Sequence, residues 1–493
     1  MSAQTKSIST SLLVSAAYNS QKNMAVLKFY NPETQELKLW YDETGHKPYC
    51  FSKLNPEELD FLSERDDVEK IETVKKHDLL NDNEIQVSKI TVSNPLAIGG
   101  TDQSIRNLID TWESDIKYYE NYLYDNSLNI GKYYKIEDGK IIPQNLEISD
   151  EVRLALKSLL WDKAIDDGMV DSKQFQEYVS NWAELLNQPI PKIKRISFDI
   201  EVEVEVGRMP DAKIADRTVT AIGFEGSDGF KQVSILRLEG VEEGKNELPS
   251  DVNVKFYDNE KEMILDAFKK IETYPFVITY NGDDFDMPYL YNRAQRLGIK
   301  QEDNPFYMMR DSATLKEGVH IDLYRALSNR SFQIYAFSHK YTDFSLNSVS
   351  KALLNEEKID YGIELDKLNL YQTANYCFND ARLTFKLTSF NSDLLMNLLV
   401  VVSRIAKMPI DDIARMGVSQ WIRSLIYFEH RQRNALIPKR IELEKKSVGV
   451  VSDAVIKDKK YRGGLVIEPT EGIHFNVTVM DFASLYPSII KVK

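Results

Sequence analysis

In the first 185 residues, some segments have apolar residues at every second position, as in strands, and others at every third or fourth position, as in helices. Residues 26–30 and 36–41 alternate apolar and polar side chains, as β-strands do, around a turn-like segment at 31–34. The apolar run near the N-terminus is only about seven residues long and leads into strand-like sequence, which predicts a first β-strand rather than a cleaved signal peptide. The remaining patterns predict a helix over 55–70, a strand over 84–92, and helices over 104–124 and 151–160.

The pattern changes after Pro189. Residues 193–206 predict a strand with period-two alternation, and strands and helices then follow one another, which is typical of α/β architecture. We predict strands over 219–224, 233–238 and 276–280, helices over 260–271 and 287–297, a helical region over 365–433, and strand-like sequence after Pro438.

The composition is typical of several packed domains in a reducing compartment. The chain has 493 residues, 43% of them hydrophobic, which favours about three domains. The chain has two cysteines, Cys50 and Cys377, which excludes a disulfide framework. It contains no run of about 18 apolar residues, so the sequence predicts no membrane span. The net charge of −14 excludes little, because enzymes that act on DNA bind it through local basic stripes.

Three groups of residues carry chemistry, and the first is Asp199 and Glu201. Residues i and i+2 of a strand point to the same face, so two carboxylates lie side by side there. Hard oxygen ligands suit Mg²⁺ or Mn²⁺. The alternative for this pair alone is a solvated strand face.

The second group follows the apolar strand at 276–280, where Asn281 and Gly282 turn the chain into a helix. Asp286 lies at the start of that helix and is a candidate metal-site carboxylate. The alternative is a helix N-cap. The neighbouring Asp283 and Asp284 fit a turn better than a ligand set.

The third group is Tyr376 and Asp380, which share one face of a predicted helix at spacing i, i+4. An ordinary half-buried helix is the alternative. Taken in order, the three groups are the parts of a two-metal phosphodiester hydrolase.

These segments resemble the three exonuclease motifs of family B DNA polymerases of archaeal type. The resemblance extends to residues 319–327 and 461–464, and is most specific at 479–490, which is similar to the first polymerase motif. The fold it implies is a multidomain α/β and α+β assembly. The domains would be a β-rich N-terminal domain over 1–185 joined by helices 393–437, a ribonuclease-H-like 3′→5′ exonuclease domain over 186–392, and the beginning of a palm domain over 438–493.

The resemblance implies a proofreading exonuclease that uses two Mg²⁺ or Mn²⁺ ions. Asp199, Glu201 and Asp380 would ligate metal, and Asp199 would bridge both ions. Asp286 would act mainly through metal-bound water, and Tyr376 would orient the attacking water. In the same turn as Asp286, Phe285 is a candidate to stack on the unpaired 3′ base, with a core position as the alternative, and Asn281 would contact the strand backbone.

The resemblance also implies part of a nucleotidyl-transfer site. Asp481 would hold the two catalytic Mg²⁺ ions, Ser484 and Leu485 would face the triphosphate through their backbones, and Tyr486 would exclude a ribose 2′-hydroxyl. A basic segment from 457, containing Tyr461, Gly463 and Gly464, would hold the DNA backbone, with a solvated loop as the alternative.

The chain departs from the family pattern because the remaining polymerase motifs do not follow residue 493. We therefore expect a truncated polymerase or one half of a split enzyme, inactive in polymerisation alone but able to act as an exonuclease. Expected partners are single-stranded 3′ ends and primer-template DNA, with dNTP, a complementary polymerase chain and a sliding clamp for the complete enzyme, and an intracellular, nucleoid-associated location. The alternatives are a free-standing nuclease and a non-catalytic DNA-binding scaffold.

Overall fold

The computed structural model describes residues 7–144, 149–151, 154–155, 157–159, 173–204, 210–308, 313–447, 454–456 and 459–461. The chain divides into two units, Met1–Ile437 and Pro438–Lys493. The finer division of the first unit at residues 185 and 392 stays a prediction.

The described part of the first unit contains both strands and helices. The strands are β1 (Ile8–Asn19), β2 (Met24–Asn31), β3 (Glu36–Tyr41), β4 (Tyr49–Ser52), β5 (Val68–Asp78), β6 (Asn83–Val92), β7 (Tyr133–Glu137), β8 (Lys140–Gln144), β9 (Arg195–Val202), β10 (Val219–Gly226), β11 (Lys231–Leu236), β12 (Asn253–Tyr257), β13 (Phe276–Thr279), β14 (Phe306–Met308), β15 (Ala313–Leu315) and β16 (Val319–Asp322). The α-helices are α1 (Asp60–Ser63), α2 (Ile105–Leu108), α3 (Tyr118–Asp125), α4 (Lys173–Leu186), α5 (Glu260–Glu272), α6 (Asp286–Arg296), α7 (Leu323–Leu327), α8 (Leu346–Leu354), α9 (Leu370–Ala406), α10 (Ile410–Arg415) and α11 (Val418–Gln432). Short 3₁₀ turns lie at Pro56–Leu59, Pro95–Ala97, Gln301–Asp303 and Leu365–Lys367, and a π-helical turn at Phe332–Ala336.

Two antiparallel sheets build the N-terminal region. One has the order β3-β2-β1-β7-β8 and the other the order β4-β6-β5. The strands predicted at the N-terminus, over 26–30, 36–41 and 84–92, are confirmed as β1, β2, β3 and β6. The apolar side chains of β1, β2 and β3 join those of β13, β16 and α9 in one continuous core, represented by Phe29, Ile321 and Leu399, whereas Ile90 of β6 belongs to a smaller core.

The third large sheet is mixed and has the order β12-β11-β10-β9-β13-β16. Strand β9 lies inside it, antiparallel to β10 and parallel to β13. Helices α5 and α6 contribute Ile264, Phe268 and Leu290 to a second core on this sheet. The predicted α/β architecture is confirmed, and β9 carries the first carboxylate pair into the middle of the sheet.

Helix α9 packs closely on β9 and β10. A side chain at Gly223 of β10 would meet the backbone of the helix, because a Cβ there would lie 2.9 Å from the carbonyl oxygen of Cys377. The helix is interrupted at Phe390–Asp393, where Asn391, Ser392 and Asp393 adopt left-handed conformations. Glycine at 223 therefore sets how near α9 can come to the strand that bears Asp199.

Helix α9 is also, by length and composition, the one described helix that could cross a membrane. Its interruption at Phe390–Asp393 divides it, and it buries both Asp380 and Arg404 against the rest of the first unit. These features are those of a core helix.

Two helix predictions in the N-terminal region are wrong. The segment 55–70 is helical only at Pro56–Leu59 and Asp60–Ser63, and its end enters β5, which pairs with β6 along its length. The predicted helix over 104–124 is broken between α2 and α3, where Trp112 exchanges backbone hydrogen bonds of 3.0 and 2.8 Å with Phe51. In both places pairing with another strand outweighs local helical spacing. The helix predicted over 151–160 lies partly outside the described residues.

The second unit begins with a helix rather than the predicted strand. Helix α12 (Arg440–Ser447) is rich in Glu and Lys, which favour helices, and Arg440 pairs with Glu444 one turn later at 2.8 Å. Strands β17 (Ala454–Ile456) and β18 (Lys459–Tyr461) then form a hairpin.

Candidate functional site

Strand β9 presents the first two carboxylates. Asp199 pairs in register with Gly223 and Glu201 with Ala221 on the neighbouring strand β10. Because side chains alternate along a strand, Asp199 and Glu201 leave the same face of the sheet, as predicted from the sequence. Both side chains remain partly exposed.

Helix α9 brings Tyr376 and Asp380 to that face. One carboxylate oxygen from each of Asp199, Glu201 and Asp380 lies within 4.8 Å of the other two. The thiol of Cys377, one residue after Tyr376, donates to the backbone oxygen of Asp199 at 3.3 Å and ties the helix to the strand. Carboxylates 181 residues apart in the chain, Asp199 and Asp380, thus converge at one point.

Asp286 lies at the first position of α6 and is buried against β9. Its Oδ1 accepts the backbone N–H of Ile200 at 3.2 Å, which directs the carboxyl group to the strand that carries Asp199. Asp286 is therefore bound to β9 and does not serve as an exposed N-cap.

The four carboxylates destabilise one another's charged forms. Burial is the largest cause that raises the pKa of Asp199 well above its ordinary value, and repulsion from the other three carboxylates adds to it. Burial also raises the pKa of Glu201, Asp286 and Asp380, with repulsion contributing at the first two. A cation among them would relieve this repulsion.

The donor set fits a hard divalent cation. All the candidate ligand atoms are carboxylate oxygens, the type that Mg²⁺ and Mn²⁺ prefer. In addition, Oδ1 of Asp380 is buried and receives no hydrogen bond from any residue that the structure describes. An acceptor left in this state is costly unless an ion or water satisfies it.

Lys358 is a residue of this site that the sequence did not reveal. Its Nζ forms an ion pair with Oδ2 of Asp380 and lies 5.0 Å from the ring centroid of Tyr376. Burial would lower the pKa of Lys358, but Asp380 outweighs burial and holds that pKa above its ordinary value. No motif marks this lysine, because it reaches Asp380 from the loop between α8 and α9.

The turn between β13 and α6 contains the other predicted contacts. Asn281 adopts a left-handed conformation with φ of 67°, and its backbone N–H donates to Oδ1 of Asp322 at 2.8 Å. Phe285 is half-buried and packs on Tyr289 with ring centroids 5.4 Å apart. Asp322 lies in the segment 319–327 and had received no role from the sequence.

The residues predicted for nucleotidyl transfer lie outside the described residues. These are Gly463, Gly464, Asp481, Ser484, Leu485 and Tyr486. Tyr461 closes β18, but its side chain is also outside the description. Their roles stay predictions.

Fold and site together define an α/β protein with a convergent carboxylate centre, and two family models match its chain. The model described as the exonuclease domain of DNA polymerase family B matches residues 109–349, and the model described as DNA polymerase family B matches residues 409–493. The chain therefore belongs to DNA polymerase family B, with an exonuclease domain and the start of a polymerase domain. Asp199, Glu201 and Asp286 lie in the first matched segment, whereas Tyr376 and Asp380 lie between the two. The second match is evidence against a free-standing nuclease that only mimics the polymerase motif.

Curated archaeal proteins are similar over almost the whole chain. DNA polymerase 1 of Saccharolobus solfataricus is 39% identical over 485 residues, which is 97% of this chain and 54% of that protein. DNA polymerase 1 of Sulfolobus acidocaldarius is 38% identical over 97% of this chain and 54% of its own length, and that of Aeropyrum pernix 37% identical over 97% and 50%. The chain spans about half the length of the curated relatives it matches.

A solved structure has the same fold. The family B DNA polymerase from the hyperthermophilic archaeon Pyrobaculum calidifontis superimposes with a TM-score of 0.61 over 88% of this chain and 52% of that chain, at 15% identity. The predicted fold class of a β-rich N-terminal region, an exonuclease domain and a helical region is confirmed.

Proposed function

We propose that this chain removes nucleotides from DNA 3′ ends by metal-dependent hydrolysis. The observation that carries the proposal is the convergence of Asp199, Glu201 and Asp380 within 4.8 Å, with an unsatisfied buried oxygen on Asp380. A non-catalytic scaffold would have no use for acidic side chains that repel one another and also repel the DNA phosphates.

The carboxylates would hold two Mg²⁺ or Mn²⁺ ions. Asp199, Glu201 and Asp380 are the proposed ligands, with Asp199 shared between the ions. Asp286 would add negative charge beside them, since its carboxylate already acts on Asp199. When bound, such a pair lowers the pKa of water and stabilises charge on the attacking and leaving oxygens.

Tyr376 and Lys358 would order the site around this centre. Burial raises the pKa of Tyr376, so its hydroxyl stays protonated and can orient the water that attacks phosphorus. Lys358 keeps Asp380 ionised and turned towards the centre through their ion pair. Attack breaks the bond between phosphorus and the 3′ oxygen of the penultimate nucleotide, and releases a nucleoside 5′-monophosphate.

The proposed substrate is an unpaired 3′ end. Phe285 is only half-buried and can offer part of its ring to the terminal base, a contact that tolerates any sequence. Asn281, in the same turn, would contact the strand backbone. This turn lies directly before Asp286, so a strand bound there would bring its last phosphate to the carboxylates.

Polymerisation is a proposal for a protein that supplies the remaining motifs. Asp481 would hold Mg²⁺ and Ser484, Leu485 and Tyr486 would bind the dNTP, whereas Tyr461, Gly463 and Gly464 would contact primer-template DNA. One carboxylate does not suffice for two metals and a triphosphate, so this activity requires further acidic residues, in the same or a complementary chain. We place the protein in the cell interior with the nucleoid, because its proposed substrate is there. A sliding-clamp partner stays a prediction.

The test is digestion of 5′-labelled single-stranded DNA with Mg²⁺. We expect stepwise shortening that Asp199→Ala reduces by more than about 100-fold, since loss of several kcal/mol of charge stabilisation corresponds to that factor. The control is Glu203→Gln, an exposed carboxylate just beyond β9, which should retain activity. Intact DNA with wild-type protein in Mg²⁺ and in Mn²⁺ would refute the proposal.

A further inference from the structure

A buried ion pair joins the turn before Asp286 to helix α10. The guanidinium of Arg415 approaches the carboxylate of Asp283 with two nearly parallel contacts, Nε to Oδ2 at 2.8 Å and Nη2 to Oδ1 at 2.9 Å. The side chain of Asp283 is only 2% exposed. Burial would raise the pKa of Asp283, but its contacts with His320 and Arg415 outweigh burial and hold that pKa well below its ordinary value.

Further contacts lock both partners of the pair. Nη2 of Arg415 also donates to the backbone oxygen of Ala313 at 3.2 Å and lies 2.9 Å from Nδ1 of His320, whose other ring nitrogen lies 2.8 Å from the hydroxyl of Thr279. The orientation of the guanidinium is therefore set from several sides, and a shorter or differently shaped side chain would not reproduce it.

The turn itself is held on its other side by Asp322. This carboxylate accepts the backbone N–H groups of Asn281 and Asp283, at 2.8 and 3.0 Å. Left-handed Asn281 is strained for a residue with a side chain, and a Cβ at Gly282 would overlap the side chain of Thr279. Such a turn persists only where its surroundings hold it, and here Asp322 holds the backbone while Arg415 holds the Asp283 side chain.

We propose that Arg415, acting through Asp283, is a positioning residue that holds the turn at 281–285 in the orientation that receives the DNA 3′ end. This inference rests on the proposed exonuclease function. Arg415 lies in the segment matched by the polymerase model, and Asp283 in the segment matched by the exonuclease model. The pair therefore ties helix α10 to the turn that would receive the strand, and its described hydrogen bonds do not involve the metal-site carboxylates.

The test separates strand binding from chemistry with two substrates. One is a single-stranded oligonucleotide; the other is the p-nitrophenyl ester of thymidine 5′-monophosphate, which has a scissile phosphodiester but no strand. For Arg415→Gln at saturating Mg²⁺ we expect KM for the oligonucleotide to rise at least tenfold, while kcat on the ester stays within threefold of wild type. Arg415→Lys retains the charge but not the paired contacts. We expect its KM for the oligonucleotide to lie between those of wild type and Arg415→Gln.

Two further variants make the test decisive. Arg325→Gln is the matched control, because Arg325 makes paired contacts of 2.8 and 2.7 Å with the adjacent Asp284 but both side chains are exposed; we expect less than a twofold change. If Arg415→Gln does not fold, the double variant Asp283→Asn/Arg415→Gln removes both charges of the buried pair, so no unpaired Asp283 carboxylate remains, and it should show the same rise in KM.

Other outcomes overturn the inference. It fails if a folded variant binds the oligonucleotide as wild type does, or if kcat on both substrates falls together with KM unchanged, as a purely structural pair would give. If wild-type protein hydrolyses neither substrate, the proposed exonuclease function itself has failed, which is a distinct result.

Discussion

Replacing Asp199 by Asn should stabilise the metal-free protein although it abolishes the proposed activity. The substitution preserves shape and removes one of several charges that repel one another. Two unit charges 4.8 Å apart interact by ~3 kcal/mol at the effective dielectric constant of a partly buried site. The pKa of Glu201 is also raised, from an ordinary 4.5 to about 8; burial is the largest cause, and repulsion from Asp380 and Asp286 adds to it.

The gain in stability from Asp199→Asn must increase as pH rises. Carboxyl groups whose pKa is raised in the folded protein bind more protons there than in the unfolded chain. Their contribution to stability is therefore fully present below the ordinary values near 4 and is lost as pH rises towards about 8, the pKa of Glu201. In EDTA, wild-type protein should lose stability between about pH 5 and about pH 8, and the variant should lose less.

The assay is thermal and urea unfolding followed by circular dichroism, with EDTA or Mg²⁺ at both pH values. At the higher pH we expect Asp199→Asn to be ~3 kcal/mol more stable than wild type in EDTA. Mg²⁺ should stabilise wild type strongly, the variant weakly, and the control Glu203→Gln as much as wild type. The reasoning is refuted if the variant is less stable in EDTA and Mg²⁺ stabilises both proteins equally.

Two other substitutions test how the site is assembled. In Gly223→Ala the new Cβ meets the backbone of Cys377 at 2.9 Å, so α9 must shift and carry Asp380 with it. We expect a loss of ~1–3 kcal/mol in the free energy of unfolding and at least a tenfold loss in kcat. Unchanged values would contradict the packing argument. In Lys358→Met the pKa of Asp380 should rise further, because its counter-charge is gone. At limiting Mg²⁺ the acidic limb of the pH–rate profile should therefore move to higher pH. An unmoved limb would show that Lys358 does not act on Asp380.

The sequence by itself determined the parts of the centre. Strand alternation put Asp199 and Glu201 on one face, and helical spacing put Tyr376 with Asp380, because these relations depend only on the local period of the backbone. The same locality explains the errors at 55–70 and 104–124. Periodicity favoured helices there, but β5 pairs with β6 and Trp112 pairs with Phe51 of β4.

Only the tertiary structure decided how the parts meet. Gly223 lets α9 approach β9, and Lys358 pairs with Asp380 from a loop that contains no motif. Arg415, 132 residues after Asp283 in the chain, forms an ion pair with it. The spacing of residues along a strand or helix does not predict such contacts. Each depends on which buried surfaces pack together and on which opposite charge lies close enough to pair with a buried charge.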